Sequence, residues 1–249
     1  MSVALKLALA PVLVAQAVAT RRRAPALPEA AGPRVGELPG DGEPLRVLIA
    51  GDSSAAGVGV DHQDRALAGH FSRALHRLAR RPVHWQLHAK SGLTTRQVHA
   101  LLLERLRDPS RAGAVGDDVA VVVTGVNDVI DLVPPRRAVA QREALADWLL
   151  GSIGVAHVVF APLPPVHRFA LLPQPLRRVM GDDARAHDDA LARWAATRRD
   201  VSHVPIALDL GPEAMAADGF HPGEPVYRAC GEALAAHVAE LTTKGRRWT

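Results

Sequence analysis

The sequence predicts an α/β domain built on a parallel sheet, and three observations carry that prediction. From Leu45 onward, short aliphatic runs alternate with helical patterns, the arrangement expected of successive βα units. The first and third runs stop at a glycine with polar side chains within the next two residues, as Gly51-Asp52-Ser53 and Gly125-Val126-Asn127-Asp128. With 249 residues and 48% hydrophobic content, the chain is long enough for one complete core, so a second globular unit is not needed.

The first run reads LRVLIAGDSSAAGVGV, from Leu45 to Val60. Arg46 to Ala50 is short and branched enough for a buried strand, and Gly51 offers a sharp turn at its end. Ser53 then falls in the crevice beyond the carboxyl ends of the strands, where open α/β sheets bind ligands. Ala55, Ala56, Gly57 and Gly59 would let a ligand approach closely. Taken alone, the stretch reads equally as a strand-to-loop connection capped by an Asp and a Ser.

Ala66 to Arg80 follows with Leu67, Phe71, Leu75 and Leu78 at helical spacing, and Val83 to His88 is the second strand. His84 and His88 share one face of it. With no carboxylate cluster nearby in sequence, solvent exposure or hydrogen bonding accounts for them better than a metal does. The strand empties into Ala89 to Thr95, where Thr94 or Thr95 can cap a helix running through Val98, Leu102 and Leu106. Gly92 sits in this connection. Its amide can point into the crevice beside Ser53, or the glycine can serve the turn alone. Asp118 to Thr124, DVAVVVT, is a third buried run. Beyond it, Asp128 reads as a turn cap, whereas the Asn127 carboxamide is a neutral donor of the sort that stabilises an oxyanion.

A helix over Arg136 to Leu150, a strand over Val155 to Ala161, a proline-rich loop through Leu176, a helix over Ala184 to Arg199 and a strand within Val201 to Leu208 complete the alternation. The loop is long for an α/β connection and lies on the crevice side, where long loops shape pockets. Asp218 and His221 come next, three residues apart, before a final helix from Val226 to Leu241. At that spacing a carboxylate can hold an imidazole in one orientation and tautomer. A helix cap beside a surface histidine is the plainer account of the same residues.

The formal net charge is +4, but the arginines are scattered as dyads and aromatics make up 4% of the chain, which argues against a nucleic-acid surface. Cys230, the single cysteine, allows no internal disulfide and no cysteine-based zinc site. Residues 1–44 read as an apolar segment followed, from Arg23 to Pro44, by a Pro/Gly-rich linker, with the domain proper over 45–249. Val3 to Ala19 is interrupted by Lys6, Pro11 and Gln16 and is followed by Arg21 to Arg23. A helix packed on the domain or touching a membrane surface, uncleaved and cytoplasmic, is the preferred reading. Export through a cleavage site at Ala17-Val18-Ala19, or membrane association through residues 1–20, is the alternative.

Ser53, Gly92, Asn127 and the Asp218/His221 pair therefore fall at strand ends in chain order, and together they specify acyl transfer to water. Ser53 is the candidate nucleophile, His221 its base and Asp218 the orienting carboxylate, with the Ser53 and Gly92 amides and the Asn127 side chain as oxyanion donors. These blocks resemble those of the SGNH (GDSL-type) hydrolases over nearly all of Leu45 to Leu241, the bacterial single-domain esterases in particular. The resemblance implies a flavodoxin-like three-layer α/β/α sandwich with a five-stranded parallel sheet. It also implies hydrolysis of small-molecule or lipid-like carboxylic esters without a metal or organic cofactor. A carbohydrate O-deacetylase, a lysophospholipase or a thioesterase are variants of that reading, and a catalytically silent binding module is its rival outside the enzymes. A nucleotide-binding domain lacks its expected motif, since neither G-x-G-x-x-G nor a P-loop follows the first strand.

Overall fold

The computed structural model describes residues 3–106, 118–208 and 210–243, so the end of the expected 45–249 domain lies outside the described residues. Strand β2 (Leu45–Gly51) is central because both of its faces are apolar. Val47 and Ile49 pack into one core with Phe71 and Leu75 of helix α3 (Leu67–Ala79) and Leu234 and Val238 of helix α8 (Glu224–Thr243). Leu48 and Ala50 point the other way. They meet Val98 and Leu102 of α4 (Thr95–Arg105), Leu145 of α6 (Pro135–Trp148) and Leu191 of α7 (Leu176–Ala195). The two-residue period of a strand thus divides the helices into two layers over one sheet, each buried Leu or Ile contributing about 1.5–3 kcal/mol.

Parallel strands β3 (Val83–Ala89) and β4 (Val119–Val123) flank β2, and β5 (His157–Phe160) and β6 (Val201–His203) extend the sheet beyond β4. Those are the five expected parallel strands. A sixth, β1 (Val35–Leu38), pairs antiparallel with β3 at the edge, giving the order β1-β3-β2-β4-β5-β6. The linker reading of Arg23 to Pro44 is therefore corrected at residues 35–38. With only two apolar residues and a glycine, β1 carries little signal of its own. It is held by its ladder to β3 and by Gly36, where an added Cβ would lie 2.6 Å from the Trp85 ring nitrogen.

Other boundaries move for local reasons. Thr94, not Thr95, caps α4, through a reciprocal capping box with Gln97. Helix α7 begins at Leu176, well before Ala184, with Pro175 at its N-cap, so the helix follows directly on the proline-rich loop. The last strand ends at His203. Gly51 also serves a different purpose from the turn expected of it: a Cβ there would run into the Val123 carbonyl oxygen, so close approach to β4 requires the glycine.

The chain leaves β2 toward β3 and then crosses back to β4 on the other side. The carboxyl ends of β2 and β4 thus flank the point where strand order reverses, the place where such sheets open a crevice.

Candidate active site

Ser53 opens the short helix α2 (Ser53–Ala56) directly beyond β2. Asp52 is its N-cap, its Oδ1 accepting from the Ser54 amide at 3.1 Å while its own amide donates to Val123 O at 3.1 Å. As the first residue of a helix, Ser53 carries an amide with no intrahelical acceptor.

Asp218 and His221 meet. His221 Nδ1 lies 2.5 Å from Asp218 Oδ2, and the other carboxylate oxygen accepts the Phe220 and His221 amides, each at 2.9 Å. Burial pushes the Asp218 carboxyl up, but the His221 hydrogen bond and the two amides outweigh it and hold the group below its ordinary value. An ionised Asp218 assigns the proton to Nδ1 and leaves Nε2 as an acceptor. The imidazole is braced by Phe220, whose ring packs edge-on at 5.2 Å and also meets Phe169 of the proline-rich loop at 5.1 Å.

Ser53 and His221 line the same cavity, about 70 Å³ in volume and walled by Val126, Phe169, Leu210, Met215, Phe220 and Tyr227 among others. The Ser53 hydroxyl makes no hydrogen bond among the described residues, so serine and imidazole share the cavity wall without being bonded. Tyr227 donates from its hydroxyl to Val58 O at 2.6 Å, tying α8 to the loop behind the serine. Cys230 lies in α8 as expected and also lines the cavity, its thiol pushed up to about 12 by burial and so unreactive.

Asn127 and Gly92 stand beside this cavity rather than in its wall. Asn127, on helix α5 (Val126–Ile130) beyond β4, donates from Nδ2 to Leu93 O at 3.1 Å and reaches Asp52 Oδ2 at 3.4 Å. It is therefore joined to the residue preceding Ser53 and to the residue following Gly92. At Gly92 φ is +82° and an added Cβ would meet nothing within 4 Å, so the backbone conformation requires the glycine and open space adjoins it.

A model of the GDSL-like lipase/acylhydrolase family matches residues 49–229. The chain belongs to that family. Solved structures of esterases and lipases resemble it in fold at low sequence identity. A family 3 carbohydrate esterase from Clostridium thermocellum is 14% identical, with a TM-score of 0.60, over 80% of this chain and 99% of its own. The lipase Lip_vut3 from a goat rumen metagenome is 18% identical, with a TM-score of 0.59, over 77% and 96%. An inhibitor-bound aryl esterase from M. smegmatis is 20% identical, with a TM-score of 0.56, over 79% and 99%. No curated protein matches the chain in sequence.

Within this GDSL-type hydrolase, Asp128 does more than the turn cap expected of it. Fully buried, it accepts from the Thr95 amide at 3.0 Å, from the Thr95 hydroxyl at 2.6 Å and from Arg142 Nη2 at 3.3 Å. It satisfies a free amide at the start of α4 and ties α4, α5 and α6 together beneath Asn127. Nothing in the pattern of α6 distinguishes Arg142 from the exposed arginines beside it. Asp52 is the other residue whose part was not foreseen: burial first, and then the charge of Asp128, raise its carboxyl to about 7 against the hydrogen bond from Ser54.

Proposed function

We propose that the protein is a serine carboxyl-ester hydrolase working through an acyl-enzyme on Ser53 and taking short acyl groups. The opening of Ser53 and the Asp218-bound His221 onto one apolar cavity carries this reading. His221 Nε2 takes the proton as Ser53 Oγ attacks the ester carbonyl, and Asp218 stabilises the imidazolium. The oxyanion is met by the amides of Ser53 and Gly92 and by Asn127 Nδ2, which exchanges its long 3.4 Å contact with Asp52 for the developing charge. Collapse expels the alcohol, protonated by His221, and a water activated by the same imidazole releases the acid.

Cavity size supports short acyl chains. An apolar cavity of about 150 Å³ holds benzene, so 70 Å³ suits roughly three non-hydrogen atoms. Acyl tails of one to three carbons beyond the carbonyl, acetyl to butyryl, fit that space, the acetyl groups of O-acetylated carbohydrates included, and the long chain of a lysophospholipid does not.

The test is hydrolysis of p-nitrophenyl esters from acetate to palmitate by wild type and Ser53→Ala. The expected result is a rate that peaks at or below butyrate and disappears in the variant. Equal activity in Ser53→Ala would remove the nucleophile, and a preference for palmitate would remove the short-chain assignment.

A further inference from the structure

Helix α1 (Val3–Arg23) sits on the body through Lys6, Leu13 and Gln16 and turns several other apolar side chains outward. Lys6 pairs with Asp183 of α7. Gln16 donates to Gln174 O at 2.7 Å and accepts from the Leu176 amide at 3.1 Å, at the end of the loop that carries Phe169. Leu7, Pro11, Val14 and Val18 lie on the opposite side, within roughly 60° of one another at 100° per residue. All four are exposed, Leu7 by 70% and Val14 by 63%. A helix stabilised only by its own domain would bury that stripe and expose Lys6 and Gln16.

The stripe continues onto a second element. Leu7 and Val14 line one side of a groove of about 520 Å³, whose other side carries Ile130 and Leu132 from the end of α5 and the turn after it. Leu132 is 82% exposed, and its backbone is left-handed at φ +54°, a conformation costly for a leucine. Four of the large apolar side chains most open to solvent therefore converge on one face. At the end of the helix, Arg21, Arg22 and Arg23 are all exposed, and α1 has no acidic residue to offset them.

We propose that this face, α1 with Ile130 and Leu132, docks on an anionic lipid bilayer, the apolar stripe entering the interface and the three arginines meeting the headgroups. Exposed apolar stripes with basic neighbours bind such surfaces by area and by charge together. A second copy of the chain would bury the stripe equally well but leaves the uncompensated arginines unanswered. The proposal is independent of the ester chemistry.

The experiment is flotation of the full chain with phosphatidylcholine vesicles and with vesicles containing one-quarter phosphatidylglycerol. Wild type is expected to float with the anionic vesicles at least tenfold more than with the neutral ones, and less as salt rises. Replacing Arg21, Arg22 and Arg23 together by Gln should remove most of that preference, since three basic side chains amount to roughly a hundredfold. Val14→Glu with Leu132→Asn should abolish flotation, Asn being tolerated in the left-handed region. The circular dichroism melt of each variant should match wild type, which keeps the result separate from any failure of the esterase reading. Wild type that stays with neither vesicle, or a Val14→Glu/Leu132→Asn variant that floats like wild type, would overturn the proposal. So would a dimer in light scattering that the same two substitutions dissociate without any vesicle binding.

Discussion

Removing one partner of the Asp128–Arg142 pair should destabilise the protein unequally depending on which partner is removed. Both side chains are fully buried and 3.3 Å apart, and Arg142 has no partner for Nε or Nη1 among the described residues. In Asp128→Asn the guanidinium loses the negative charge it is paired with and cannot neutralise itself, because arginine stays protonated in proteins. The expected cost is about 3–5 kcal/mol, the range for a buried charge deprived of its partner. In Arg142→Met the surviving Asp128 keeps both Thr95 donors, at 2.6 and 3.0 Å, and can take up a proton, so the cost should be about 1–3 kcal/mol. The double variant should lose less than the two single losses combined, because it removes the stranded charge along with its partner. Urea denaturation of the four proteins measures the cycle, and thermal midpoints should fall by roughly 2–4 °C per kcal/mol. Equal losses in the two single variants, or strict additivity in the double, would refute the account of Asp128 as the counter-charge that Arg142 requires.

Asn127→Ala should lower kcat by roughly 10² to 10³ with KM little changed, as expected of one oxyanion donor, and an unchanged kcat would remove it from that role. Asp52 carries a proton in the folded state that the unfolded chain has already lost between pH 3.8 and about 7, so wild-type stability should decline across that window. Asp52→Asn, which cannot ionise, should accordingly gain on wild type by up to roughly 3 kcal/mol at pH 8 relative to pH 5, and parallel pH profiles in denaturation would contradict this. His88, pushed down to about 4 chiefly by burial, is held neutral in the fold, so its contribution is present above pH 6.5 and lost as pH falls toward 4. His88→Gln should therefore flatten the acid limb of stability, and an unaltered limb would show that the imidazole contributes nothing to it.

The five parallel strands, and the order in which the candidate site residues arrive, were legible in the sequence because each rests on local chemistry. Branched aliphatic runs such as DVAVVVT have few ways to be satisfied other than as buried strands. The three-residue step from Asp218 to His221 is short enough for carboxylate and imidazole to meet within one loop. Strand β1 was not legible, since its four residues are held by pairing with β3 across more than forty positions rather than by any pattern of their own. The same limit applied to α1, where apolar content along the chain was visible but the side held to the body by Lys6 and Gln16 was not.

What the sequence by itself determined was the class of fold and the residue types available at each strand end, both properties of short segments. Tertiary structure decided everything that depends on segments meeting. It decided that Gly51 is required by the approach of Val123, that Asp128 serves α4 and Arg142 rather than its own turn, and that Asp52 sits deep enough for its carboxyl to rise to about 7. It also fixed the 70 Å³ of space beside Ser53, from walls contributed by several separate stretches of chain. Desolvation, close packing and cavity volume are set by what surrounds a residue from every direction, and a linear pattern records only the neighbours along the chain.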